Sequence, residues 1–204
     1  MSLAGRWPLP DHHDLRDGLL AAWDRPGYHD LLHLTEVLDR LDLMSASGAA
    51  FDTTTVALAA WFHDAVYDGS PDDEERSAQW AERALPAAYA GEVARLVRMT
   101  VHHRPADDDP AGSALSDADL GILAAPTERY DDYVAGVRAD FAHVAEADFR
   151  SGRAAVLRDL AARETLFHTP QARELWESSA RANLERELAG LGAGVSGRRA
   201  GGRP

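Results

Sequence analysis

The segment 52–67, DTTTVALAAWFHDAVY, constrains this chain more than any other part of it. Val56, Leu58, Ala59, Trp61, Phe62, Ala65 and Val66 are spread over every face of a helix. A helix apolar all round has to be covered on every side. Asp52 supplies an N-cap for it, and the pattern predicts that it ends near Tyr67. Into the middle of this helix the sequence places His63 and Asp64. An imidazole and a carboxylate are costly to bury without partners. Whatever fold forms must wrap this helix and satisfy that pair.

The wrapping elements read as helices too. Leu15, Leu19, Leu20 and Trp23 recur at helical spacing within 11–24, and Pro26-Gly27 interrupts them. Leu31, Leu34, Leu38 and Leu41 share one side of a second helix over 28–44. Further helices are predicted over 74–85, 92–102, 117–123, 126–143, 147–165 and 169–188. Pro170 suits the first turn of the last one. The stretch 104–112 (RPADDDPAG) reads as an exposed acidic loop. Strand-like alternation is absent, so the expectation is all-α: a single-domain helical bundle over 1–189. The Gly/Arg-rich segment 190–204 is predicted to be a disordered tail.

Composition narrows the chemistry. Of 204 residues, none is cysteine. Disulfides and thiolate metal sites are therefore excluded, and any metal site must use His and carboxylate ligands. The formal charge of −13 repels nucleic-acid backbones and anionic membranes, so neither is an expected partner. It also makes an anionic substrate awkward unless something positive sits in the pocket, and a bound divalent cation would supply that. Residues 1–10 lack a basic patch followed by an apolar run, and no apolar stretch approaches the ~20 residues of a membrane span. The expected location is cytoplasmic. The oligomeric state is left open, a homo-oligomer included.

The remaining histidines and aspartates cluster suggestively. His29 and His33 are four apart on the predicted second helix. His102 and His103 end the predicted fifth. Asp117 and Asp119 lie beside apolar residues in LSDADLGIL. Imidazole nitrogen with carboxylate oxygen suits Mn, Fe, Zn, Ni or, less well, Mg. Such a site lowers the pKa of a bound water and polarises a phosphoryl oxygen, which phosphoester hydrolysis requires. Blander readings apply to much of the set. His63 and Asp64 can be a structural pair inside the core. His12, His13, His143 and His168 read as surface or packing residues, and Asp107, Asp108 and Asp109 as a solvated loop. Arg129 and Arg138 read as surface salt-bridge partners before phosphate ligands.

The order His33 … His63-Asp64 … Asp119 resembles the H…HD…D signature of the HD superfamily. The stretches YHDLLHL, WFHDAVYD, DDEERSA, MTVHH, DADLGIL, RYDDYVAGVRADF and ARANLEREL resemble a bacterial subfamily of metal-dependent HD phosphohydrolases. The likeness runs from about Trp7 to Leu188. It implies an all-α fold with a divalent metal held between helices by His33, His63, Asp64 and Asp119. Ala118-Asp119-Leu120 fits the family context for the last ligand, with Asp117 its competitor. It further implies catalysis through Asp64 and a metal-activated water, with His29 close to the site, on a nucleotide or small phosphate ester. His102 or His103 is available for a second metal. Some members carry a glutamate three residues after the doublet aspartate. Here Tyr67 stands there, which leaves Glu74 or Glu75 as candidates and keeps open a metal- and ligand-binding sensor with little turnover.

Overall fold

The segment that is apolar all round is the innermost helix. The computed structural model describes residues 2–196, and the helices among them are numbered in chain order. Helix α3, Thr53–Phe62, packs against α2 (Leu31–Ala46), α4 (Asp73–Ala84), α5 (Ala87–Met99) and α6 (Pro110–Leu120). Seven of its ten residues are buried, Trp61 and Phe62 completely. Asp52 caps it as expected, its carboxylate accepting from the amides of Thr54 and Thr55 and from the Thr55 hydroxyl at 2.6 Å.

Around this inner group run α1 (His13–Trp23), α7 (Thr127–Asp140), α8 (Glu146–Ala162) and α9 (Pro170–Ser196). Two short 3-10 turns, Leu3–Arg6 and Gly121–Ala124, complete the regular structure, and no strand occurs among the described residues. The protein is an all-α bundle around one apolar core. No described helix is long and apolar enough to cross a membrane. Trp23 of α1 fastens its indole N–H to the Trp61 carbonyl at 2.9 Å, and Trp7 meets the Trp61 ring edge-on at 5.2 Å.

Several helix ends differ from the sequence expectation, and each has a local cause. Helix α3 stops at Phe62, so His63 and Asp64 lie in the turn that closes it and not in its middle. The Arg25 guanidinium donates to the carbonyls of Asp64 and Ala65 there, replacing the helical bonds. Helix α2 begins at Leu31 because the Asp30 carboxylate caps the amides of Leu32 and His33. His29 therefore precedes the helix and does not share a helical face with His33. Helix α5 ends at Met99, and His103 adopts a left-handed φ of 49°, which no right-handed helix continues. Helix α6 starts at Pro110, capped by Asp109, so the last residues of the acidic loop open a helix. The expected tail also shortens: α9 runs on to Ser196, with Arg150 donating to the carbonyls of Gly190 and Leu191. Residues 197–204 lie outside the described residues.

Candidate metal centre

Three helices or their ends aim four polar side chains at one point beneath the surface. From the first turn of α2 comes His33, fully buried. The turn after α3 supplies His63, also fully buried, and Asp64, 13% exposed. Near the C-terminal end of α6 stands Asp119, 15% exposed. Donor atoms of His33, His63 and Asp64 all lie within 4.8 Å of one another, so this group can hold a metal ion.

The spacings test that fit. Zinc–nitrogen bonds of about 2.0–2.1 Å put neighbouring ligand atoms about 2.8–3.4 Å apart, from octahedral to tetrahedral arrangement. The Nε2 atoms of His33 and His63 face each other at 3.1 Å. Asp119 Oδ1 is 3.2 Å from His33 Nε2, and Asp64 Oδ2 is 3.3 Å from His63 Nε2. The two crossed imidazole–carboxylate distances are both 3.7 Å. His63 Nδ1 donates to the Ala60 carbonyl at 2.8 Å, which turns Nε2 inward. His33, His63 and Asp64 fit a divalent cation bound by nitrogen and oxygen; Asp119 meets the two histidines but lies outside that group of three.

Electrostatics point the same way. Burial works against a charge on His63, but the carboxylates of Asp64 and Asp119 outweigh it and push the imidazole up to about 9. Burial also works against an ionised Asp119, yet His63 and the bonds from His33 and His63 hold it well below the usual carboxylate range. For His33, burial wins over the Asp119 contact, and its pKa falls. Two carboxylates thus face one proton-bearing imidazole, a place where a metal cation would stand in for the proton.

His29 reaches the same point from the loop before α2. Its Nδ1 lies 2.7 Å from Asp140 Oδ2, and its Nε2 lies 4.0 Å from Asp64 Oδ2. Asp140, at the end of α7, also accepts from the Tyr28 amide at 3.2 Å. Gly27 makes this junction practicable: its φ is 105°, and a Cβ there would run into the Asp140 carboxylate. Tyr67, the residue three past Asp64, stacks on the His29 ring at a centroid distance of 3.8 Å and 23° between planes. Neither the pairing of Asp140 with His29 nor the close approach at Gly27 was part of the sequence expectation. A carboxylate 111 residues from its histidine leaves no local signal, whereas Pro26-Gly27 was visible as a break.

The other candidates separate cleanly. His103 Nε2 approaches Asp119 Oδ2 to 3.4 Å while Nδ1 meets the Ser116 hydroxyl oxygen at 3.3 Å. His102 is exposed, with its carbonyl accepting from Arg163. Asp117 points away, accepting from the amides of His168 and Thr169 at 2.7 Å each. Glu74 lines the cavity above the site, and burial followed by the charge of Asp64 raises its pKa. Glu75 is elsewhere, bound to Arg98 at 2.6 Å. Arg129 pairs with Glu36 at 2.6 Å and Arg138 with Glu146 at 3.0 Å, as salt-bridge readings had it.

No protein-family model, no curated protein and no solved structure matches the chain.

Proposed function

We propose that this protein is a metal-dependent phosphohydrolase of the HD type, acting on a nucleotide or small phosphate ester. The observation that carries the reading is the convergence of two buried imidazole nitrogens, 3.1 Å apart, with the carboxylates of Asp64 and Asp119, which line a large cavity. The motif series around His33, His63-Asp64 and Asp119 supports it independently. These four side chains would hold a divalent ion of the Mn, Fe, Zn, Ni or Mg group, and His103, beside Asp119, is the nearer of the two candidates for a second. A bound ion supplies an activated water at neutral pH and positive charge for the phosphoryl oxygens.

The chain's own residues supply the rest. Asp140 accepts the Nδ1 proton of His29, so Nε2 presents its lone pair toward the Asp64 side of the site. From there His29 takes the proton of the attacking water and returns it to the leaving oxygen. Tyr67 keeps the imidazole plane fixed by stacking on it. The acidic protein offers the substrate phosphate little attraction of its own, so the bound cation decides whether it enters.

Tyr67 also favours a second reading, since it stands where some related hydrolases carry a catalytic glutamate. On that reading the site binds metal and a phosphorylated ligand as a sensor, with little turnover. Elemental analysis of wild type and of the double variant His63→Ala/Asp64→Ala, with a phosphatase screen on the same samples, separates the readings. About one or two metal ions per chain, lost in the variant together with phosphatase activity, is the hydrolase outcome. Metal lost in the variant without activity in wild type is the sensor outcome. No metal in either sample after reconstitution rejects both.

A further inference from the structure

The cavity above the candidate metal centre is larger than a phosphate needs, and its walls are of two kinds. Its volume is about 1150 Å³, above the roughly 300–1,000 Å³ of ordinary small-molecule sites. One wall carries His29, Asp64, His103 and Asp119. The turn Gly121–Ala124, α7 with the residue after it, and α8 line the rest, bringing Leu123, Val137, Phe141, Phe149, Val156 and Leu160 alongside Asp148, Arg153 and Asp159. Val156 remains 54% exposed, a large apolar side chain left facing open space.

Resting on the hydrolase reading above, we propose that the substrate is the phosphate monoester of an apolar alcohol, its phosphate at the His/Asp wall and its hydrocarbon body along α7 and α8. Charge argues for a single phosphate. Every arginine lining the cavity is already engaged: Arg153 by Glu187 at 2.8 Å, Arg104 by Asp159 at 3.1 Å, and Arg163 by Asp159 and the carbonyls of His102 and His103. Asp64, Glu74, Asp119, Asp148 and Asp159 line the same space. A polyphosphate would meet carboxylates without the Arg or Lys clamps such groups use. Tyr28 adds a polar handle near the head. It lines the cavity, and its buried hydroxyl has no hydrogen-bond partner among the described residues.

In the reaction, the water oxygen bonds to phosphorus and the phosphorus–alkoxyl bond breaks. The alkoxyl oxygen takes a proton, and the products are inorganic phosphate and the free alcohol. Burial of each added methylene along α7 and α8 strengthens binding of the reacting ester by up to about fourfold.

The test uses full-length, manganese-loaded protein and n-alkyl phosphates from ethyl to dodecyl, each kept monomeric, with phosphate release as readout. Binding of the matching n-alkyl phosphonates, which are not hydrolysed, is followed by thermal shift. The expected result is a kcat/KM that climbs about two- to fourfold per methylene over several carbons and then levels off. Gly152→Phe tests the location, because Gly152 lines the cavity from α8 with nothing within 4 Å of an added Cβ. In that variant the dodecyl-to-ethyl ratio should fall at least tenfold. Hydrolysis of short esters with no dependence on length, or a nucleoside monophosphate preferred over every alkyl phosphate, overturns this inference and leaves the hydrolase reading standing. No hydrolysis of any ester, with phosphonate binding that still strengthens with length, keeps the apolar site and removes the hydrolase reading. Neither hydrolysis nor length-dependent binding removes both.

Discussion

Asp117 and Asp119 stand two residues apart on one helix, and both are largely withdrawn from water, yet they do opposite things. Two residues turn an α-helix by about 200°, so the pair points to opposite faces. Asp117 faces the start of α9 and is met by two backbone amides at 2.7 Å, donors that the helix N-terminus leaves free. Asp119 faces His33, His63 and His103, whose ring nitrogens lie 3.2 to 3.7 Å from it. A buried carboxylate met by fixed N–H donors is part of the scaffold. One met by imidazoles, with a second carboxylate across the cluster, has a place for a cation. The same residue type in the same helix thus accepts backbone amides on one side and faces a cluster of imidazoles on the other.

The largest effect that can break this contrast comes from Asp119→Asn. Removing one carboxylate from the cluster should abolish metal uptake and lower phosphate-ester hydrolysis on the order of 10³-fold, the several kcal/mol of charge stabilisation that a metal supplies. Metal content and kcat/KM check it. A thermal scan adds an independent reading: wild type at metal concentrations 100 times Kd should be stabilised by about 2.7 kcal/mol, and the variant not at all. Full metal occupancy in Asp119→Asn would show that Asp119 is not needed to hold the ion.

Asp117→Ala should cross that result. It leaves the amides of His168 and Thr169 without an acceptor inside the protein and costs about 3 kcal/mol. For a chain of this length that lowers Tm by roughly 8 °C. Metal binding and the metal-induced rise in Tm should persist. If Asp117→Ala instead lost metal while keeping its stability, the roles of the two aspartates would be reversed.

How far the two roles were legible in the sequence follows from the same physics. An unbroken apolar segment forces a central helix whatever surrounds it, so α3 was plain. The ordered series of His33, His63, Asp64 and Asp119 was plain as a motif, and the fold brings the four together. Asp117 and Asp119 were harder to separate, because both sit beside apolar residues, and what distinguishes them is the N-terminus of α9, more than 50 residues away. The end of α3 was missed for a similar reason. Composition continues the helix through Ala65 and Val66, but Arg25, about 40 residues upstream, takes over the carbonyls. Helix α5 was carried too far because nothing in residues 100–102 breaks a helical pattern, while the chain leaves the helix after Met99 and turns left-handed at His103.

Asp140→Asn tests a third carboxylate, the one that meets His29 Nδ1 at 2.7 Å. The variant should keep its fold and its metal but lose its fixed imidazole tautomer, at a cost of about 10²-fold in kcat/KM, the lower end of what general acid–base catalysis contributes. Asp140→Glu should recover part of the loss if a carboxylate acceptor is what His29 needs. A drop in Tm as large as that of Asp117→Ala, with kcat/KM intact, would move Asp140 to the scaffold side of the comparison.

The smallest expected effect calibrates the scaffold side itself. Asp52 resembles Asp117 in accepting from backbone amides at a helix start, but it is exposed, so water can replace it. Asp52→Ala should therefore cost only about 1 kcal/mol, the usual worth of an N-cap, against roughly three times that for Asp117. The Thr55 hydroxyl holds the Asp52 carboxyl below its ordinary value, against a small opposing effect of burial. A depressed carboxylate adds stability that is fully present above the unfolded-state pKa, near 3.9, and lost as pH falls through the folded value. The difference in denaturation free energy between wild type and Asp52→Ala should accordingly be constant from pH 5 to 7 and shrink below pH 4. Were the cost at neutral pH to equal that of Asp117→Ala, burial would not be what separates a carboxylate that merely caps a helix from one the core depends on.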